Sequence, residues 1–311
     1  MRVALLDLGT NTFNMLIADV DRNKGYYKRV FNSKVPVRLG EGGINDNIIT
    51  EEAFERGLLA LKNQIMRLKS EGCEQAYAFG TSALRTASNG KEFVDKVAEL
   101  FDLHIEVIDG DREAQMIYKG VKLSLDLGQE KCLIMDIGGG SNEFIIANQD
   151  EIFWKKSYRL GVSRLLQWLK PSDPITKDEI QKLTDRLADE MADLFEACKE
   201  HSVKTLVGSS GSFDSLADMI CINLHKHEPD DDRKFYDFEL SDYHHVKDMI
   251  LQSSKEKRLE MRGLHRIRVD LIVMAVVMID LVLERCDVSR MRQSAYSLKE
   301  GILFDLLEGN L

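Results

Sequence analysis

The sequence predicts an α/β fold in two domains of one plan, with helices on both faces of a sheet. Three observations carry that expectation. The length, 311 residues, fits about two domains of roughly 150 residues each. An apolar strand followed by Asp-x-Gly, a small polar turn and a second apolar strand occurs twice, as Leu5–Ile17 and as Ile134–Ile146. The two copies run in constant register, Asp7 with Asp136, Gly9 with Gly138, Thr12 with Ser141, and each reads as a β-hairpin. Between and after them, strand-like and helix-like patterns alternate.

Taken in order, Phe54, Leu58, Leu61, Ile65 and Leu68 recur at helical spacing, with Thr50 as N-cap and Gly72 as stop. Ala76–Phe79 reads as a short strand, Phe93–Phe101 as a helix, Ile105–Val107 as a strand and Ala114–Leu125 as a helix. Beyond the second hairpin, Thr176-x-x-Glu179 is a capping box opening a helix expected to reach about Lys199. Val203–Val207 is the next strand, and Gly208–Gly211 turns into a short helix. Residues 223–240 are polar and expected to be irregular. Ile267–Leu283 is too continuously apolar for a surface helix and is expected to be buried. The domains are expected at 1–122 and 123–311, with a C-terminal helix at about 298–311 packing back on the first.

Composition excludes several classes. With 44% hydrophobic and 30% charged residues, 4 Pro and 21 Gly, the chain is neither disordered nor repetitive. The formal charge of −10 argues against general nucleic-acid binding. Two basic stretches, Lys28–Arg38 and Lys255–Arg268, read first as solvated faces. The longest apolar run, Leu271–Ile279, is bounded by Asp270 and Asp280, too short to span a membrane. The opening MRVALLDLGT lacks the apolar core of a signal peptide. Five scattered cysteines form neither a disulfide framework nor a zinc spacing, which points to a reducing, cytoplasmic setting.

Gly138-Gly139-Gly140-Ser141 follows a strand, and its glycines let backbone N–H groups approach an anion. It is neither a P-loop nor a dinucleotide fingerprint. Asp136 and Glu143 flank this turn, and two carboxylates beside a phosphate nest suit Mg²⁺. Asp7, at the equivalent point of the first hairpin, is expected to face them across a cleft. Gly208-Ser209-Ser210-Gly211-Ser212 is a third strand-to-helix junction, open to an anion or to simple capping by Ser212. The His225/His227 and His244/His245 pairs lack further ligands and read as solvated.

These segments together resemble the exopolyphosphatase/guanosine pentaphosphate phosphohydrolase (Ppx/GppA) family, of the actin/hexokinase/Hsp70-like superfamily. Asp7–Thr12 is similar to its first phosphate segment, Gly80–Asn89 to its Thr-Ser-Ala-x-Arg-x-Ala-x-Asn segment, and Ile108–Ala114 to its Ile-Ser-Gly-x-Glu-Glu-Ala segment. Asp136–Glu143 matches the second phosphate segment, and Gly208–Ser212, Arg268–Asp270 and Leu298–Leu303 follow in family order.

The resemblance implies two actin-like, ribonuclease-H-like domains flanking an interdomain cleft, and Mg²⁺-dependent removal of a terminal phosphate from polyphosphate or guanosine pentaphosphate. It puts Glu113 at the catalytic glutamate and Arg85 at the phosphate-binding arginine. Asp136 and Glu143 fall on metal-associated carboxylates, and Gly138, Gly139, Gly140 and Ser141 on the phosphate turn; Asp7 is expected as a further metal ligand from its equivalent place in the first hairpin. Asn11, Thr12, Gly208, Ser209 and Arg268 complete the expected substrate contacts. The family often forms homodimers, so a homodimer fits the resemblance. Four positions depart from the family pattern: Asn14 and Lys299 stand for arginine, Asp109 for serine, and Arg112 for the first glutamate of its pair. Arg112 is expected to set a cation beside Glu113 and weaken it as a base. Exopolyphosphatase is the leading reading. A guanosine pentaphosphate phosphohydrolase and a catalytically weak alarmone or nucleotide sensor are the alternatives.

Overall fold

The computed structural model describes residues 1–230 and 232–311. They fall into two compact units, the first made of Met1–Gly120, Gly138–Gly140 and Leu298–Leu311, the second of Val121–Ile137 and Ser141–Ser297.

In the first unit the chain runs β1 (Arg2–Leu8), β2 (Thr12–Asp21), β3 (Tyr26–Pro36), α1 (Glu51–Ser70), β4 (Gln75–Gly80), α2 (Ser82–Thr86), α3 (Gly90–Phe101), β5 (Ile105–Val107) and α4 (Gly110–Ser124). The sheet order is β3-β2-β1-β4-β5, with β1–β2–β3 antiparallel and β1–β4–β5 parallel. Leu6, Leu8, Phe13, Met15 and Ile17 pack one sheet face against Leu61 and Ile65 of α1 and Phe93 and Val97 of α3. Thr50 caps α1 as its pattern predicts, its hydroxyl accepting from Ala53 N.

The second unit continues with β6 (Cys132–Ile137), β7 (Asn142–Ala147), β8 (Ile152–Tyr158), α5 (Val162–Leu169), α6 (Lys177–Glu190), α7 (Ala192–Glu200), β9 (Thr205–Ser209), α8 (Gly211–Asn223), β10 (Phe235–Phe238), α9 (Leu240–Leu251), α10 (Lys255–Glu260), α11 (Leu271–Arg285) and β11 (Arg290–Ser294). The order β8-β7-β6-β9-β11 repeats the first sheet's plan, with β10 added antiparallel at the edge. The final helix, α12 (Leu298–Leu307), belongs to the first unit and packs on β1 and β2. Two mixed sheets of one topology make this an α/β protein.

Three elements differ from the sequence pattern. The helix opened by the capping box breaks at Met191, whose fully buried side chain is anchored in the core, so α6 and α7 are separate. The polar stretch 223–240, apart from position 231, which lies outside the described residues, contains β10: its aromatics pair with β11 despite acidic neighbours. Helix α4 begins at Gly110, four residues before its apolar pattern, because Asp109 accepts from Arg112 N at 2.8 Å and caps it. As its pattern predicts, α11 is buried almost all round. Among the described residues, no helix is long and apolar enough to cross a membrane.

Candidate active site

In the first unit, the turn between β1 and β2 is closed by Gly9 N donating to Thr12 O at 3.0 Å. Its backbone is held from outside: Asn11 O accepts from Val37 N and Arg38 N, and Thr10 O from Gly40 N. Asn14 Nδ2 donates to Asp7 Oδ2 at 2.8 Å. The Gly138–Gly140 turn counts with this unit. A Cβ on Gly139 would lie 2.5 Å from Asn11 Nδ2, and one on Gly140 2.6 Å from both Thr10 Oγ1 and Ser82 Oγ. A Cβ at either position would push these side chains aside. Thr10 and Ser82 are buried, and among the described residues neither hydroxyl has a hydrogen-bond partner. Two orphaned hydroxyls meeting at a glycine turn are a polar cradle, since a buried donor left unmade costs about 1–3 kcal/mol.

Ser82 opens α2, and Arg85 lies one helical turn further on. Arg85 Nη1 donates to Ile108 O at 2.8 Å and to Glu113 Oε2 at 2.9 Å. Glu113 stands in the first turn of α4 and is 7% exposed, so the pair is shielded from screening. One five-residue helix therefore joins the hydroxyl at the glycine turn to the arginine that grips the buried glutamate.

In the second unit, Asp136 and Glu143 are direct partners across the β6–β7 ladder and share a sheet face. Both are buried. Asp136 Oδ2 accepts from Ser209 Oγ at 2.6 Å and Ser297 Oγ at 2.5 Å. Burial raises its pKa from the usual carboxylate value, opposed by the hydroxyls of Ser209, Ser297 and Ser210. Glu143 Oε1 accepts from Ser157 Oγ at 2.7 Å. Ser141 is buried beside them.

Ser210 has φ 74 and ψ 170, a region that favours glycine, and leads into α8. Gly208 is a packing glycine, since a Cβ would stand 2.1 Å from the Phe213 ring. Arg268 lies against Gly211, where burial lowers its pKa against the opposing pull of Asp214 and Asp136.

A model of the Ppx/GppA phosphatase family matches residues 16–310. The chain belongs to the Ppx/GppA phosphatase family. It is an enzyme, a phosphoanhydride hydrolase. The chain is 35% identical to an exopolyphosphatase of Cytophaga hutchinsonii of known crystal structure, with a TM-score of 0.96 over 99% of this chain and 98% of that one. A Haemophilus influenzae protein provisionally named an exopolyphosphatase is 27% identical over 98% of this chain and 91% of its own length. The Ppx/GppA protein of Aquifex aeolicus, 23% identical with a TM-score of 0.80 over 100% and 99% of the two chains, shares the fold.

Against the Ppx/GppA pattern, the departures have local explanations. Arg112 corrects the expectation drawn from sequence: its guanidinium pairs with Glu106 and lies 5.6 Å from the Phe79 ring centroid, while Arg85 is bonded to Glu113. Asp109 caps α4 through Arg112 N. Asn14 serves Asp7. Lys299 pairs with Glu300 at 2.8 Å, both buried.

The Lys255–Arg268 stretch is engaged by carboxylates: Lys255 with Asp270, Arg258 with Asp173, Arg262 with Glu228. His225 bonds Asp242. The sequence pattern marks Asn11 and Thr12 in the first turn but not Thr10 or Ser82. The available signal was a serine one helical turn before Arg85.

Proposed function

We propose that the protein is an exopolyphosphatase that releases the terminal phosphate of inorganic polyphosphate, with Glu113 as general base. The observation that carries the reading is the pair of buried, unpartnered hydroxyls, Thr10 Oγ1 and Ser82 Oγ, at the Gly140 turn, joined through α2 to the Arg85–Glu113 pair.

Phosphoanhydride hydrolysis needs positioning and neutralisation of spreading charge more than covalent chemistry. The terminal phosphate takes hydrogen bonds from Thr10 and Ser82, from the Gly138–Gly140 N–H groups and from Asn11. Phosphate competes with Glu113 for Arg85, which frees the carboxylate. Glu113 then accepts a proton from water as the water oxygen bonds to the terminal phosphorus. The bridging P–O bond breaks, giving orthophosphate and a chain one unit shorter. Positioned proton transfer of this kind is worth roughly 10²–10⁴-fold.

The family resemblance implies Mg²⁺. The donor set fits: Asp136 and Glu143 are buried oxygen donors on one sheet face, and Mg²⁺ is usually held by one or two carboxylates together with phosphate and water. Among the described residues no group of three His, Cys, Asp or Glu forms a full cage. Asp136 and Glu143 would hold the ion. Bound there, the ion would supply charge neutralisation to a phosphate.

The test is phosphate release from polyphosphate, guanosine pentaphosphate and ATP side by side, with and without Mg²⁺. Fastest release from polyphosphate, lost without Mg²⁺, supports the reading. Preference for guanosine pentaphosphate moves the assignment to that alarmone, and binding without release makes the protein a sensor.

A further inference from the structure

Arg268 has an unusual floor. A Cβ on Gly211 would come within 1.9 Å of Arg268 Nη2, 2.2 Å of Cζ and 2.5 Å of Nε, so the guanidinium lies against the glycine backbone at the start of α8. Asp214 stands three residues on, in the first turn of the same helix, and is one of the two carboxylates whose charge acts on Arg268. Asp214 Oδ1 accepts from Gln293 Nε2 at 2.9 Å, and Gln293 is fully buried on β11, in register with Gly208 of β9. Ser212, next to Gly211, is fully buried, its hydroxyl without a partner among the described residues.

We infer that Gly211, Asp214 and Gln293 are positioning residues that seat Arg268 as a phosphate-binding group of the second unit. Gly211 supplies a floor without a side chain, Asp214 a negative charge one helical turn on, and Gln293 the bond that fixes that carboxylate. The seat sets the planar guanidinium beside a helix start, where its charge and the helix dipole favour the same anion. Lysine offers no flat fork for such a floor. The inference rests on the exopolyphosphatase reading of the substrate.

The test is a set of double-variant cycles read by KM for polyphosphate and by calorimetric binding of tripolyphosphate, with thermal unfolding as the check on folding. Gly211→Ala is expected to raise KM about tenfold, the worth of a hydrogen bond to a charged group, with kcat changed less than about threefold. Arg268→Lys and Arg268→Ala are expected to weaken binding similarly, and Gly211→Ala to add nothing in either background. Asp214→Asn keeps the shape and drops the charge. It is expected to change KM at least about threefold in the wild type and not in Arg268→Ala.

Effects of Gly211→Ala and Asp214→Asn that add in full to Arg268→Ala, or a KM within about twofold of wild type in folded Gly211→Ala, overturn the seat. Should Gly211→Ala not fold, the Asp214→Asn cycle decides. If the wild type hydrolyses no polyphosphate but its tripolyphosphate binding shows the coupling, the seat stands and the reaction assignment falls. If it neither hydrolyses nor binds, both fall.

Discussion

Thr10 and Ser82 carry a cost that the free protein has no structural reason to bear. Each buries a hydroxyl without a partner, at about 1–3 kcal/mol for an unmade bond. Thr10→Val keeps the outline of the side chain and removes the orphan. It is expected to stabilise the free protein by about 1 kcal/mol and to raise KM for polyphosphate about tenfold. Thermal unfolding and steady-state kinetics on one preparation check both. A variant less stable than wild type with unchanged KM would make the hydroxyl structural.

At this scale the sequence was only partly legible. The glycines of Gly138–Gly140 and the carboxylates beside them stood out because they are local in the chain. The Arg85–Glu113 bond and the orphaned hydroxyls did not, because they arise where separate elements meet in space. Arg112 shows the hazard of reading neighbours in sequence as neighbours in space: one residue from Glu113, it turns to Glu106.

Among elements, α12 braces α4, the helix that carries Glu113. Gly301 makes this possible, since a Cβ there would stand 1.9 Å from Met116 O, and Lys119 is bonded to Asp305 across the same contact. Gly301→Ala forces backbone apart and is expected to cost about 1–3 kcal/mol, with a fall in kcat as α4 shifts. Chemical denaturation and turnover measure the two effects, and unchanged values for both would remove the brace. The glycine was visible in sequence within Leu298–Leu303, but its reason was not, because Met116 lies far off in the chain.

The capping box at α6 was legible in full: Thr176 accepts from Glu179 N, and Glu179 reaches back to Thr176 N at 2.8 Å. Backbone N–H groups of Thr176 and Ser172 hold the Glu179 carboxyl down, from 4.5 to about 2. The folded value lies below the unfolded one, so this stabilisation is complete above pH 4.5 and is lost as pH falls through about 2. Glu179→Gln should therefore be less stable than wild type at neutral pH, with the gap closing over that window. Melting curves from pH 7 down to pH 2 check it, and a gap independent of pH would contradict the capping role.

For the whole molecule, the duplicated sheet plan was readable from one constant register between Asp7 and Asp136, because a hairpin signature survives in local pattern alone. The edge strand Phe235–Phe238 was hidden by the charges around it, and the break at Met191 by helical residues on both sides. The account as a whole stands on one chemical assignment, Glu113 as the base that activates water at the terminal phosphate. Phosphate release by Glu113→Gln, measured with polyphosphate binding on the same folded preparation, tests it most directly. The account predicts a kcat lower by about 10²–10⁴-fold with binding kept or tightened, since a negative charge facing phosphate is removed. A kcat within about threefold of wild type, with the fold intact, would contradict it and pass the role of base to another carboxylate.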